Sequence, residues 1–129
     1  MSPPERHMNA ALATLIVLQI IMLSALYADI DPHPPVATPL FGIAPFLGAS
    51  LSIALAAVIL RPLQTVKGRS LSVLAALMAL VSYGPQKYLD PQFGLIWPAV
   101  ILGQSAALVI LYHALAEGRR KRGDGGLAA

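Results

Sequence analysis

The sequence predicts an all-α integral membrane protein, an up-down bundle of four transmembrane helices with both termini cytoplasmic. Three observations predict it. Four apolar stretches, Asn9 to Ala28, Phe41 to Leu60, Ser70 to Leu89 and Phe93 to Ala116, each approach the ~20 residues that a helix needs to cross a hydrocarbon core. Hydrophobic residues make up 57% of the 129 and charged residues 12%, so no stretch has the polar face that a water-soluble bundle requires. The cations also alternate between loops: Arg6 precedes the first stretch, Arg61, Lys67 and Arg69 separate the second from the third, and Arg119, Arg120, Lys121 and Arg122 follow the fourth. Only Lys87 falls on the other side, among Asp29, Asp31 and Asp90. The positive-inside rule then sets the orientation, and the pattern suits a bacterial cytoplasmic (inner) membrane. Residues 1–116 read as one membrane domain and 117–129 as a basic cytoplasmic tail.

Span one is too long for the apolar core of a cleaved signal, and no small-residue cleavage pattern follows it, so it is expected to stay as an anchor. Gln19 lies at its centre. The outer loop that follows, residues 29–39, carries four prolines and predicts a stiff, extended cap. Asp29, Asp31 and His33 there have the atoms for a metal but not a full ligand set, so no metal is expected.

Span two carries small residues at four-residue spacing, Gly48, Ser52 and Ala56, and span four repeats this with Ala99, Gly103 and Ala107. Span three adds Ser72 with Ala76 and Ala75 with Ala79. Such ladders let helix backbones approach closely, which drives association where lipid removes the hydrophobic contribution. The ladders are read first as packing within this bundle; alternatively, with three laddered helices of four, one ladder faces another subunit.

Span three is the shortest reading. From Ser70, the expected N-cap, to Tyr83 it extends only ~21 Å at 1.5 Å per residue. The helix must either kink through Gly84-Pro85, freeing the Val81 carbonyl, or end there. Aromatic residues gather near the outer ends of the spans, at Tyr27, Phe41, Phe46, Tyr83, Tyr88, Phe93 and Trp97, with Tyr112 alone inside.

Gln104 lies at the centre of span four, at nearly the depth of Gln19. The two can bond each other or Ser50, Ser52 and Ser105, as interhelical glue or as the lining of a polar path. No Asp, Glu or His lies deep in a span, which argues against ion-coupled transport. His113 sits about a turn from the inner end of span four, and His7 just ahead of span one. A haem needs two rings facing one cavity, and His7 at the water boundary does not match His113 in depth, so no cofactor is expected.

The formal net charge of +3 is accounted for by topology and by one juxtamembrane run. Arg119, Arg120, Lys121 and Arg122 are expected against anionic lipid headgroups, and nucleic acid is excluded as a partner because no folded basic face exists. The absence of Cys removes disulfides and thiolate metal sites. No catalytic spacing occurs, so an enzyme is not expected. The reading is a non-catalytic accessory or assembly subunit that packs its small-residue faces against a larger membrane complex. The alternative is a small homo-oligomeric channel or transporter for a small polar solute or ion.

Overall fold

A computed structural model describes residues 1–28, 40–89 and 93–128. The described residues are all-helical, with four helices long and apolar enough to cross a membrane. The proline-rich loop and its Asp29, Asp31 and His33, together with Asp90, lie outside them.

Helix α1 spans Pro3–Ala28 and starts six residues ahead of the predicted Asn9. Its start is fixed by Ser2-Pro-Pro-Glu5, a reciprocal cap overlooked in the sequence. The Ser2 N–H donates to the Glu5 carboxylate at 2.7 Å and the Glu5 N–H to the Ser2 hydroxyl at 3.4 Å, while Pro3 and Pro4 occupy first-turn positions that lack an intrahelical N–H bond. Helix α2, Leu40–Ile59, matches the predicted second span within one residue at each end.

Helix α3, Val66–Tyr83, corrects the third span at both ends. Thr65, not Ser70, is the N-cap: its hydroxyl accepts from the Gly68 N–H at 2.9 Å and donates to the Leu60 carbonyl at 2.6 Å. The earlier start gives 18 residues, about 27 Å, which removes the shortfall. At the other end the helix stops at Gly84 and a 3-10 turn, Pro85–Leu89, follows. The Gln86 side-chain amide reaches back to the carbonyls of Val81 at 2.6 Å and Leu80 at 3.2 Å. The ending therefore leaves neither group orphaned.

Helix α4 runs Phe93–Ala128, 36 residues or about 54 Å. It does not break at Ala116: the basic run continues the same helix well past the length of a bilayer crossing.

The helices form a ring in which α1 packs on α2, α2 on α3, α3 on α4 and α4 on α1, with little contact across from α1 to α3. Alanine dominates the core, with Ala11, Ala54, Ala57, Ala75, Ala76, Ala79, Ala106 and Ala107 buried around Met8, Leu12, Leu15 and Ile110. Small side chains bring the backbones close, and the resulting dispersion contacts hold the bundle where apolar burial contributes little.

A two-fold pattern underlies this ring. Buried positions of α2 and α4 correspond at a separation of 53 residues: Leu47 with Val100, Ser50 with Gly103, Ala54 with Ala107, Ala57 with Ile110. Pro45 and Pro98, Ser52 and Ser105, and Leu55 and Leu108 are identical and exposed in both. Helices α1 and α3 correspond in burial at a separation of 64, with Met8 matching Ser72, Ala11 Ala75, Leu15 Ala79 and Gln19 Tyr83. The two hairpins thus repeat in parallel, in packing more than in residue identity.

Candidate functional site

Polar groups collect at two levels of the bundle. The first is a layer through its interior. The Gln19 amide donates to the Ser50 hydroxyl at 2.6 Å, joining α1 to α2, and the Tyr83 hydroxyl donates to the Leu18 carbonyl at 2.7 Å, joining α3 to α1. Gly103 closes the layer against Tyr83: a Cβ at Gly103 would lie 2.8 Å from the Tyr83 Cβ. By the two-fold pattern, the Gln19–Ser50 and Tyr83–Gly103 contacts are equivalent.

Gln104 does not pair with Gln19. Its Oε1 accepts from the Tyr88 hydroxyl at 2.9 Å, a partner outside the predicted set, whereas Gln19 takes Ser50, one of the partners named for it. Nothing in the sequence spacing singled out Tyr88 or Tyr83 for these roles. Ser52 donates to the carbonyl of Gly48 in its own helix at 2.8 Å and Ser105 is exposed, so neither joins the layer. Among the described residues, the Gln19 Oε1 and the Gln104 Nε2 are buried without a hydrogen-bond partner.

The second level is the end of the bundle where Ser2, the turn between α2 and α3, and the Glu117 to Lys121 turn of α4 meet. Glu5 accepts from the Gln64 amide, whose Oε1 accepts in turn from Arg61 at 2.9 Å. The turn itself is tight. Arg61 adopts a left-handed conformation (φ 61°) and its carbonyl lies against Gly68, where any Cβ would collide with it. Lys121 reaches across from α4 to the carbonyls of Gln64 at 3.3 Å and Leu63 at 3.5 Å. Glu117 pairs with Arg120 at 2.6 Å and Lys121 at 3.8 Å.

Glu5 lies one turn ahead of the apolar stretch of α1. Its carboxyl is held down at about 2, first by the Ser2 backbone N–H, then by the Gln64 amide and the Ser2 hydroxyl. Two open recesses of about 450 and 460 Å³ flank this network, the first between Glu5, Gln64, Glu117 and Lys121, the second beside Asn9 and Arg61.

Of the four cations predicted to meet lipid, Arg120 is exposed but paired with Glu117 and Asp124, and Lys121 is held by Glu117 and the loop carbonyls, while Arg119 and Arg122 are exposed without a protein partner among the described residues. The sequence reading treated them alike because it placed Glu117 in a tail rather than on the same helix face.

At this end the structure also joins two residues that were expected to differ in depth. The His7 and His113 rings lie 5.6 Å apart, centroid to centroid, with planes inclined by 35°. The early start of α1 makes the difference, because it places His7 inside a helix packed on α4.

The small-residue ladders divide. Ser72, Ala75, Ala76 and Ala79 of α3 are buried, as are Gly103 and Ala107 of α4, with Ala99 half-buried. In α2, Ser52 is exposed while Gly48 and Ala56 are half-buried, and a Cβ at Gly48 would meet nothing within 4 Å. No protein-family model matches this chain, and neither the curated proteins nor the solved structures gave a match.

Proposed function

We propose that the chain is a non-catalytic accessory or assembly subunit of a larger membrane complex, held in a bacterial inner membrane as an up-down bundle with both termini cytoplasmic, and that the outer face of α2 is its docking surface. The observation that carries this reading is the asymmetry between two equivalent faces. Where α4 exposes Ile101, Leu102 and Val109, α2 carries half-buried Gly48 and Ala56 and exposed Ala49 at the corresponding positions, with Leu55 and Ile59 its large exposed residues. The outward faces of α1 and α3 are large as well, with Val17, Ile20, Ile21, Leu74, Leu77 and Val81 exposed. Large aliphatic side chains suit fluid lipid, whereas a flat strip of small residues gains nothing from lipid and allows another helix to approach closely.

The orientation rests on the cation count. Arg61, Lys67, Arg69 and Arg119 to Arg122 share the end that carries Ser2, which fits the positive-inside rule. Arg119 and Arg122 are the cations left to meet anionic headgroups there.

The rival reading is a small homo-oligomeric channel or carrier. It is favoured by the unpartnered amide atoms of Gln19 and Gln104, since buried polar groups without partners often mark a polar ligand or water. Gentle extraction from the source membrane with a C-terminal tag, followed by sizing and identification of co-purifying chains, separates the two. Recovery in stoichiometric amount with larger membrane proteins is the expected outcome. Recovery alone, as a homo-oligomer, overturns the subunit reading.

A further inference from the structure

We propose that His7 and His113 form a two-imidazole site for a single borderline divalent ion of the Zn²⁺ type. The argument begins with spacing. With metal–nitrogen bonds of about 2.0–2.1 Å and a ring nitrogen roughly 1.1 Å from its centroid, two imidazoles on one ion have centroids about 5.2–6.4 Å apart between the tetrahedral and linear limits. The observed 5.6 Å lies inside that window. Flat stacking of the two rings would bring them closer.

Their mounting is rigid. Each histidine lies within a helix beside a buried neighbour, Met8 next to His7 and Ala114 next to His113. Both neighbours belong to the core that packs α1 against α4. Tyr112 also touches the His113 ring edge-on, with centroids 5.2 Å apart. Little order remains to be imposed when an ion arrives, which favours binding.

The ring nitrogens are uncommitted. Neither histidine makes a hydrogen bond to the protein among the described residues, so no partner has to be displaced. His7 is exposed, which gives an ion a way in, while His113 is half-buried and fixed. Imidazole nitrogen suits Zn²⁺, Ni²⁺ and Cu²⁺ over the hard cations Mg²⁺ and Ca²⁺.

A macrocycle does not suit the same pair. Met8, Ala11, Ile110 and Ala114 pack together beside the rings, so a haem plane between the rings would have to separate α1 from α4. A lone ion needs no such opening. Among the described residues no third His, Cys, Asp or Glu joins the cluster, and Glu117, one turn along α4, is occupied by Arg120 and Lys121. The remaining positions on the ion are therefore open to water or to a ligand from outside the chain. That describes an exchangeable site rather than a closed structural one.

The test is a Zn²⁺ titration of the full chain in detergent, carrying a histidine-free tag, by calorimetry and by thermal unfolding. The expected result is saturable one-to-one binding that raises the unfolding temperature, because the ion clamps α1 to α4. His7→Ala should weaken binding by about tenfold or more. It should also abolish the thermal shift. His113→Gln, which keeps bulk in the half-buried position, should do the same, and His33→Ala should leave both readouts unchanged. The proposal is overturned if wild type shows no saturable binding, if His7→Ala binds as wild type does, or if the loss instead follows His33.

Discussion

The Tyr83 hydroxyl donates a 2.7 Å hydrogen bond to the backbone carbonyl of Leu18, 65 residues earlier in the chain. Tyr83 is 4% exposed and is backed by Gly103 on the far side, so one ring fastens α3 between α1 and α4. Its packing and its hydrogen bond make separable contributions. Tyr83→Phe removes only the hydrogen bond and is predicted to cost about 0.6 kcal/mol, the average for such bonds in membrane bundles. Tyr83→Ala also opens a cavity and should cost about 3–5 kcal/mol. Unfolding of both variants in mixed detergent measures the difference. Equal losses would show that the hydroxyl, rather than the packed ring, holds the layer.

Gln19 offers a contrasting prediction. It is 1% exposed, and its single bond to Ser50 leaves Oε1 unpaired. Gln19→Leu removes a modest hydrogen bond and an unsatisfied acceptor together, so the stability change is predicted to stay within about 1 kcal/mol. Ser50 is left with a carbonyl of its own helix as a partner. The same unfolding measurement checks this, alongside growth or flux in the source organism. A stable Gln19→Leu chain that loses biological activity would support the channel or carrier reading.

Legibility in the sequence followed how local each signal was. The four spans were readable because apolar length is a property of contiguous residues. The start of α2 was readable for the same reason, whereas the predicted third span ran past Gly84-Pro85, where α3 ends. The starts of α1 and α3 were misplaced because Glu5, Arg6, Lys67 and Arg69 looked like solvent residues, although Ser2 and Thr65 carried capping signals upstream. The angular position of a side chain around its helix was not legible, because no apolar-polar contrast marks a face when every face is apolar. Gln104 therefore went to Tyr88 instead of Gln19, and only the structure distinguished the less buried ladder of α2 from the inward one of α4.

The cap at Ser2 and Glu5 predicts an acid response. The carboxyl of Glu5 is lowered from 4.5 to about 2 in the folded chain, so its contribution is fully present above about pH 4.5 and is lost as the pH falls toward 2. Amide exchange in the first two turns of α1 should accelerate over that interval while the core of the bundle keeps its protection. Glu5→Gln should flatten the response. Ser2→Ala should raise exchange in those turns at every pH, with a loss of about 0.5–2 kcal/mol in local stability. A first turn equally protected at pH 2 and pH 7 would contradict the capping role.

Gly48 and Gly103 separate packing within the chain from packing between chains. At Gly103 a new Cβ meets the Tyr83 Cβ at 2.8 Å, an atom next to the backbone that has little room to move. Gly103→Ala should therefore destabilise the isolated chain by about 1–3 kcal/mol. At Gly48 a new Cβ meets nothing within 4 Å, so Gly48→Ala, and even Gly48→Ile, should leave thermal unfolding in detergent unchanged. The equivalent position of α4 already carries Ile101 facing outward, so bulk on such a face is tolerated by the fold. If α2 docks another helix, however, Gly48→Ile pushes the two backbones apart. Co-purification should fall sharply while the chain itself stays folded. A Gly48→Ile variant that keeps both its stability and its partners would remove α2 as the docking face.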